Sequence, residues 1–155
     1  MEFRIRAATA EDGEVMYALM PRLAEFEIPD SRNADDLWRD DLALLRECLA
    51  GNANDCFAQV AEKSDGAILG LTLVRMRPDA LSHEPSSHLE AIAVSKEAEG
   101  KGVAHALLTA CEKEAMNRGA FTMTLHVIST NLRARKFYER SGYDGEMIRY
   151  IRQIG

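Results

Sequence analysis

Two glycines, Gly100 and Gly102, stand where the chain passes from a stretch with strand character into an amphipathic helix. The strand-like stretch, HLEAIAV, begins at His88, and the helix-like stretch, HALLTACEKEAMNRG, ends at Gly119. Glycine lets the backbone approach a ligand closely, and the first amide groups of a helix have no intrahelical acceptor. Such amides bind anions, phosphate groups among them. This stretch therefore predicts a pyrophosphate site made of backbone amides.

Glu90 is the one acidic residue within the strand-like stretch. Its apolar and small neighbours would partly desolvate a carboxylate, which raises the pKa toward the range of a general base. Glu90 is therefore a candidate base that acts through a water molecule. The alternative is a carboxylate at an exposed strand end, paired with His88 or Arg75.

The histidines and cysteines give weaker indications of chemistry. His83 and His88 flank the polar stretch before the strand, and a lone histidine such as His126 is more often structural than catalytic. The three cysteines are odd in number, widely spaced and free of any CxxC pair. We therefore expect neither a disulfide framework nor a metal site.

Length and composition favour a single domain that spans residues 1–155. The net charge of −6 argues against a broad nucleic-acid-binding face, which is usually basic. No apolar run is long enough for a membrane span, and the first residues, MEFRIRAATAEDGE, lack the apolar region of a signal peptide. The sequence thus predicts a cytoplasmic protein without nucleic-acid or membrane partners.

Hydrophobic periodicity predicts the elements that position these residues. Six stretches have strand character and four have apolar residues at helical spacing, and Pro21 predicts a kink or a break in the first helix. The residues from Met76 to Ser87 form either a loop or an extension of the hairpin strand, and are a candidate wall of the site. The predicted strands cover residues 3–7, 56–62, 67–75, 88–95, 121–128 and 143–154, and the predicted helices residues 10–25, 35–50, 105–119 and 131–141.

The order of the elements favours a mixed α/β sheet. The strands on either side of the 105–119 helix are expected to be parallel, because a strand-helix-strand connection forms a right-handed crossover. The hairpin at Asp65-Gly66 implies antiparallel pairing in the N-terminal half.

Two segments resemble the GCN5-related N-acetyltransferase family. LEAIAVSKEAEGKGVAHALL is similar to its acetyl-CoA segment, and NLRARKFYERSGY is similar to the signature of its C-terminal helix. The resemblance implies a mostly antiparallel sheet of six to seven strands flanked by about four helices. It also implies one parallel strand pair that splays around the cofactor.

The resemblance implies that acetyl-CoA, and no metal, serves the reaction. The backbone of the 92–94 segment would contact the pantetheine arm, and the loop and helix start would surround the pyrophosphate. Where the family usually has Arg or Gln in this loop, the chain has Glu99, whose side chain we expect to face solvent. The implied cofactor-binding residues are Ile92, Ala93, Val94, Gly100, Lys101, Gly102, Val103, Ala104, His105, Asn131 and Arg133.

Tyr138 corresponds to the family's general acid, which protonates the departing CoA thiolate. Asn131, Arg135 and Tyr138 share roughly one side of a helix. The alternatives are a core aromatic residue beside Phe137 for Tyr138 and a helix cap for Asn131.

The connection between the first two helices usually helps to form the acceptor pocket in this family. Phe26 and Glu27 in that connection, together with Glu84 before the strand, are therefore predicted to bind substrate. The acidic residues there favour a cationic acceptor, although a solvated loop explains them equally well.

The predicted function is acetyl-CoA-dependent transfer of an acetyl group to a primary amine of a small molecule, within a ternary complex. The alternatives are an acyl-CoA-binding sensor with little catalysis, or an acetyltransferase acting on a protein N-terminus or lysine. The alternation of apolar residues and arginines from Met147 to Ile154 leaves a strand edge, so a homodimer is expected.

Overall fold

Five strands form one mixed sheet in the computed structural model, which describes residues Met1–Gly155. Neighbouring strands are antiparallel, except that the last two are parallel. The mixed α/β class, the mostly antiparallel sheet and its parallel pair are thus confirmed. In chain order, and in the same order across the sheet, the strands are β1 (Phe3–Ala7), β2 (Cys56–Lys63), β3 (Ile68–Pro78), β4 (Pro85–Val94) and β5 (Thr122–Leu125).

Four α-helices accompany the sheet, as predicted. They are α1 (Gly13–Leu19), α2 (Arg39–Leu49), α3 (Val103–Asn117) and α4 (Leu132–Arg140). The first helical segment changes to a 3₁₀ helix over Met20–Ala24, because Pro21 has no amide hydrogen for an α-helical bond. None of the helices combines the length and the apolar character that crossing a membrane requires.

Buried side chains cover both faces of the sheet. On one face, Met16 of α1 and Leu45 of α2 pack with a cluster that includes Leu71 and Leu73 of β3. On the other face, Leu108 and other residues of α3 pack with Phe57, Val74 and Leu89. Because residues of a strand alternate between the two faces, β3 can supply both clusters.

The parallel pair separates before β4 ends. Pairing runs from Ser86 with Thr122 to Leu89 with Leu125, whereas β4 continues to Val94. The Ser95 amide donates to the Leu69 carbonyl on β3 over 2.8 Å. Since peptide groups alternate in direction along a strand, those of Ile92 and Val94 face away from β3. They therefore point into the gap beyond β5, which we call the β4–β5 gap.

The predicted last strand and the predicted number of strands are wrong. Residues 143–155 contain no strand, and five large apolar side chains there are exposed, so the sheet has five strands rather than six to seven. Alternation signals strand propensity, but a strand also needs a neighbour to pair its backbone groups, and the chain offers none there. The strand predicted at 121–128 is shorter, and the stretch from Met76 to Ser87 is partly an extension of the hairpin.

Candidate active site

The loop before α3 forms an open cradle of amide groups. Gly100 and Gly102 have φ angles of 70° and 81°, in the left-handed region that favours glycine. No atom lies within 4 Å of the position that a Cβ would take at either glycine. The amides of Gly100, Gly102, Val103, Ala104 and His105 donate to no acceptor within the chain. We call these five amides the amide cradle.

The Glu99 side chain is 31% exposed, and it is paired instead of facing solvent freely as the sequence predicted. Its carboxylate accepts a hydrogen bond from Nη2 of Arg22, and Nη1 of Arg133 lies 3.5 Å from its Oε2. The hydrogen bond from Arg22 is the main reason why the pKa of Glu99 is lowered, and Arg133 adds to the effect. The family usually has Arg or Gln at this position. Here Glu99 pairs with two cations, Arg22 and Arg133.

Three partners hold the Arg22 guanidinium at the end of β4. Besides Glu99, Nε donates to the Val94 carbonyl and Nη1 donates to Glu25 over 2.8 Å. The side chain is only 18% exposed. Arg22 therefore lies in the β4–β5 gap, next to the amide cradle.

A sequence comparison identifies the family. The profile of the acetyltransferase (GNAT) family matches residues 17–143. The chain belongs to the acetyltransferase (GNAT) family. The family and the enzyme class predicted from the sequence are thus confirmed. The comparison with curated proteins gave no match.

Solved structures of GNAT proteins share the fold over almost the whole chain. AAC(6')-Iy, in complex with the bisubstrate analog CoA-S-monomethyl-acetylneamine, is 23% identical, with 100% of both chains covered and a TM-score of 0.76. Ribosomal-protein-alanine N-acetyltransferase from Brucella melitensis biovar Abortus 2308 is 20% identical, with 99% of this chain and 100% of that chain covered and a TM-score of 0.71. Glucosamine-6-phosphate N-acetyltransferase from Arabidopsis thaliana is 18% identical, with full coverage of both chains and a TM-score of 0.70. At these identities the likeness concerns the fold.

Tyr138 of α4 lies beside the place where the parallel strands of this GNAT fold separate. The Tyr138 ring packs against the buried cluster that contains Leu89, and Leu125 packs at the border of the same cluster. The ring centroids of Tyr138 and Tyr143 are 5.8 Å apart. The Tyr138 hydroxyl forms no hydrogen bond within the chain. Burial, followed by the neighbouring Cys111, raises the pKa of Tyr138, so the phenol stays protonated at neutral pH.

Asn131 and Arg133 stand at the start of α4. The Asn131 side chain accepts a hydrogen bond from the Ala134 amide over 3.2 Å. Asn131 is therefore a helix cap, which is the alternative to a cofactor contact. Arg133 reaches Glu99 across the gap. Lys101 of the loop is exposed and forms no ion pair.

Glu90 is a partly buried residue at an irregularity of β4. The register shifts between Leu73 and Val74 of β3, so that Leu73 pairs with Ala91, Val74 pairs with Leu89 and Glu90 has no partner. Glu90 forms no ion pair with His88 or Arg75, so the structure does not support that alternative. Such a bulge redirects a side chain next to a site.

Asp41 of α2 is a candidate site residue that the sequence reasoning missed. Burial, followed by the nearby negative charges of Glu90 and Asp40, raises the pKa of Asp41 to about 7. Its spacing placed it on the apolar side of α2, which was the one available signal. The two carboxyl groups come from segments almost fifty residues apart, so no local motif joins them.

His88 is structural in its contacts. Its Nδ1 lies 2.7 Å from Oγ1 of Thr124, and its ring lies 4.7 Å from that of His126. Burial lowers the pKa of His88 to about 4, with Arg77 and His126 contributing, so the ring is neutral at pH 7. The hydrogen bond joins β4 to β5 where the two strands pair.

The predicted substrate residues fall in two places. Phe26 and Glu27 lie in the connection after Arg22, where the Glu27 carbonyl accepts a hydrogen bond from Thr130 over 2.6 Å, just before α4. Glu84 lies on the turn between β3 and β4, at the opposite end of β4 from the amide cradle. The structure therefore brings Phe26 and Glu27 toward the other candidates, but not Glu84. No group of three or more His, Cys, Asp or Glu side chains is arranged to hold a metal ion.

Proposed function

We propose that the protein transfers an acetyl group from acetyl-CoA to a primary amine of a small molecule, directly within a ternary complex. The observation that carries the proposal is the amide cradle at the open end of the β4–β5 gap, with Tyr138 at the point where the strands separate. Five unpartnered donors at a helix N-terminus fit a diphosphate. A GNAT relative was solved with a CoA bisubstrate analog, which agrees with this use of the fold.

Different residues of the gap would hold different parts of the coenzyme. The amide cradle, with Lys101 and Arg133, would hold the diphosphate, while the peptide groups of Ile92 and Val94 would bind the amides of the pantetheine arm. Ala93 turns its buried side chain into the core and its peptide groups toward β3, so it only spaces Ile92 from Val94. Acetyl-CoA supplies the activated acetyl thioester when it is bound.

Glu90 is assigned as the general base and Tyr138 as the general acid. Glu90, acting through water, would accept a proton from the ammonium group of the acceptor, and the neutral amine would then attack the thioester carbonyl. Asp41 lies close to Glu90 as a second carboxyl group. Tyr138 would give its proton to the departing thiolate, because its raised pKa keeps the phenol protonated until the thiolate forms.

A cationic amine suits the acidic character of the acceptor side. Glu90 and Asp41 bring two carboxyl groups to the helix-α2 face of β4, and Glu27 lies in the neighbouring connection. The acetylneamine portion of the ligand in the AAC(6')-Iy structure is a small amine of this class. The alternative acceptor is a protein N-terminus, which the name of the Brucella relative suggests.

The exposed C-terminal segment supports a homodimer. Met147, Ile148, Tyr150 and Ile154 are each more than 70% exposed. One side of β5 is an edge of the sheet. A second copy of the chain would cover these apolar side chains and pair their backbone.

An amine panel tests the proposed function. Purified protein is mixed with acetyl-CoA and each acceptor, and free thiol is measured with time. We expect release that depends on small di- or polyamines and exceeds that with peptides or with carboxylate-bearing acceptors. Binding of acetyl-CoA without acceptor-dependent release would favour the sensor instead, and a preference for peptide N-termini would favour the protein acceptor.

A further inference from the structure

Arg22 joins three parts of the chain that border the amide cradle. Its donors reach the Val94 carbonyl at the end of β4, Glu99 in the loop before α3, and Glu25 in its own segment. The Val94 carbonyl faces the β4–β5 gap, so the guanidinium lies inside this gap. Arg22 and Glu99 are 77 positions apart in the chain, so the contact is a product of the fold.

Glu99 places a negative charge directly before the cradle. An isolated carboxylate there would repel a diphosphate, but this one lies between two guanidinium groups. Arg133 approaches it from α4 at 3.5 Å, and Arg22 approaches it from the first helical segment. The lowered pKa of Glu99 agrees with a carboxylate that stays ionised between these cations. The three side chains together carry a net charge of +1.

A diphosphate at the amide cradle would compete with Glu99 for the same two guanidinium groups. Guanidinium groups bind phosphate and carboxylate oxygens with the same forked geometry, so one anion can replace the other. The Val94 carbonyl that Arg22 now occupies is also one of the groups assigned to the pantetheine arm. Entry of the coenzyme into the gap therefore requires Arg22 to exchange its partners.

We propose that Arg22 is a coenzyme-binding residue and that Glu99 is an internal anion that competes with the coenzyme for it. Before the coenzyme binds, Glu99 and the Val94 carbonyl hold Arg22 in the gap. When the coenzyme binds, Arg22 and Arg133 transfer from Glu99 to the diphosphate. This inference rests on the proposed use of acetyl-CoA, and adds to it a residue and an exchange of ion pairs.

Calorimetric titration of CoA into matched variants tests the exchange. Arg22→Gln should weaken CoA binding by about 10-fold or more, because a desolvated phosphate loses a charged, forked donor. Arg22→Lys should restore part of the loss. Glu99→Gln should tighten binding by about 3-fold to 10-fold, since the competing charge is removed while Arg22 remains. In the double variant Arg22→Gln/Glu99→Gln, Glu99→Gln should raise the affinity for CoA by less than it does in the wild-type background.

Two controls match the charge changes. Glu97→Gln removes a carboxylate two residues away in the same loop, where it pairs with Lys63 at 3.2 Å and not with Arg22. Arg39→Gln removes an arginine that pairs with Asp36 on the surface. Both should bind CoA like the wild type. Circular dichroism and melting curves establish that each variant is folded.

Dephospho-CoA identifies the phosphate group that Arg22 contacts. It retains the diphosphate and lacks the 3′-phosphate, so the loss caused by Arg22→Gln should persist with this ligand. A loss that vanishes with dephospho-CoA would contradict the assignment to the diphosphate. Wild-type affinity in a folded Arg22→Gln protein would overturn the role of Arg22, and weaker binding by Glu99→Gln would overturn the competition. Wild-type protein that binds no CoA would instead refute the proposed function itself.

Discussion

The carboxyl group of Asp41 on α2 is buried close enough to Glu90 on β4 for the charge of Glu90 to raise its pKa. Burial is the larger cause, and together with the charges of Glu90 and Asp40 it brings the pKa of Asp41 to about 7. Neither carboxylate has an ion-pair partner in the chain. Asp41 therefore keeps its proton up to about pH 7 and adds no negative charge beside Glu90 below that pH.

We expect the pH dependence of kcat/KM to report this pair. Asp41 gains its negative charge as pH rises through about 7, and this charge favours a cationic acceptor beside Glu90, so kcat/KM should rise through the same range. Asp41→Asn removes this titrating charge and should abolish this limb of the profile. Glu90→Gln should lower kcat/KM by about 100-fold.

Asp40→Asn is the matched control for the pH profile. Asp40 is exposed on the same helix and contributes less than Glu90 to the raised pKa of Asp41. In Asp40→Asn the limb of the pH profile near 7 should therefore move only slightly. An Asp41→Asn profile identical to that of the wild type would mean that the pair does not control the reaction.

Stability should depend on pH through the same aspartate. The folded-state pKa of Asp41 is about 7 and its ordinary value is 3.8, so between these values the folded protein keeps a proton that the unfolded chain has lost. The free energy of unfolding therefore falls as pH rises through this window. Asp41→Asn removes this loss. Its melting temperature should exceed that of the wild type by about 3 °C or more at pH 8, and the difference should become smaller at pH 4. An equal difference at both pH values would contradict the raised pKa.

Tyr138→Phe should reduce turnover without weakening coenzyme binding. We expect kcat to fall by about 100-fold, because the acid that protonates the thiolate is lost, and the Kd for CoA to change by less than about 2-fold. The phenol hydroxyl has no partner within the chain, so the variant should fold normally. Stopped-assay turnover and calorimetric binding measure the two quantities separately.

Tyr143→Phe is a close control for Tyr138→Phe. The Tyr143 hydroxyl donates to Glu112 over 2.6 Å, so its removal should cost about 1 kcal/mol of stability and leave kcat unchanged. If both variants lose turnover equally, packing in this aromatic cluster and not proton transfer is responsible.

The sequence predicted the site best where its signals are local. Gly100 and Gly102 and the helix after them lie within one short stretch, and both glycines have positive φ angles, which glycine adopts readily. The first helix changes type at Pro21 for a reason that the residue itself supplies. The amide cradle therefore follows from neighbouring residues alone.

Contacts between distant segments could not be predicted in this way. Arg22 reaches Glu99, and Asp41 reaches Glu90, only because helices from the first third of the chain pack near the end of β4. The strand predicted for the C-terminal stretch is absent because its alternating residues lack a neighbouring strand with which to pair. Periodicity describes a segment, whereas pairing requires a partner that the segment does not specify.

Deleting residues 146–155 should convert a dimer into a monomer. Their exposed apolar side chains are the surface that a second copy would cover, and the sheet itself contains none of these residues. Light scattering after size exclusion should give about twice the 17.2 kDa chain mass for the full chain and the single mass for the shortened one. A monomeric full chain would refute the dimer, and a dimeric shortened chain would place the interface elsewhere.

Amide spectra of ¹⁵N-labelled protein during titration with CoA test the amide cradle most directly. The account predicts that Gly100, Gly102, Val103, Ala104 and His105 show the largest changes in amide chemical shift, because these donors have no acceptor within the chain. Saturation with CoA while these five amides keep their positions would contradict it.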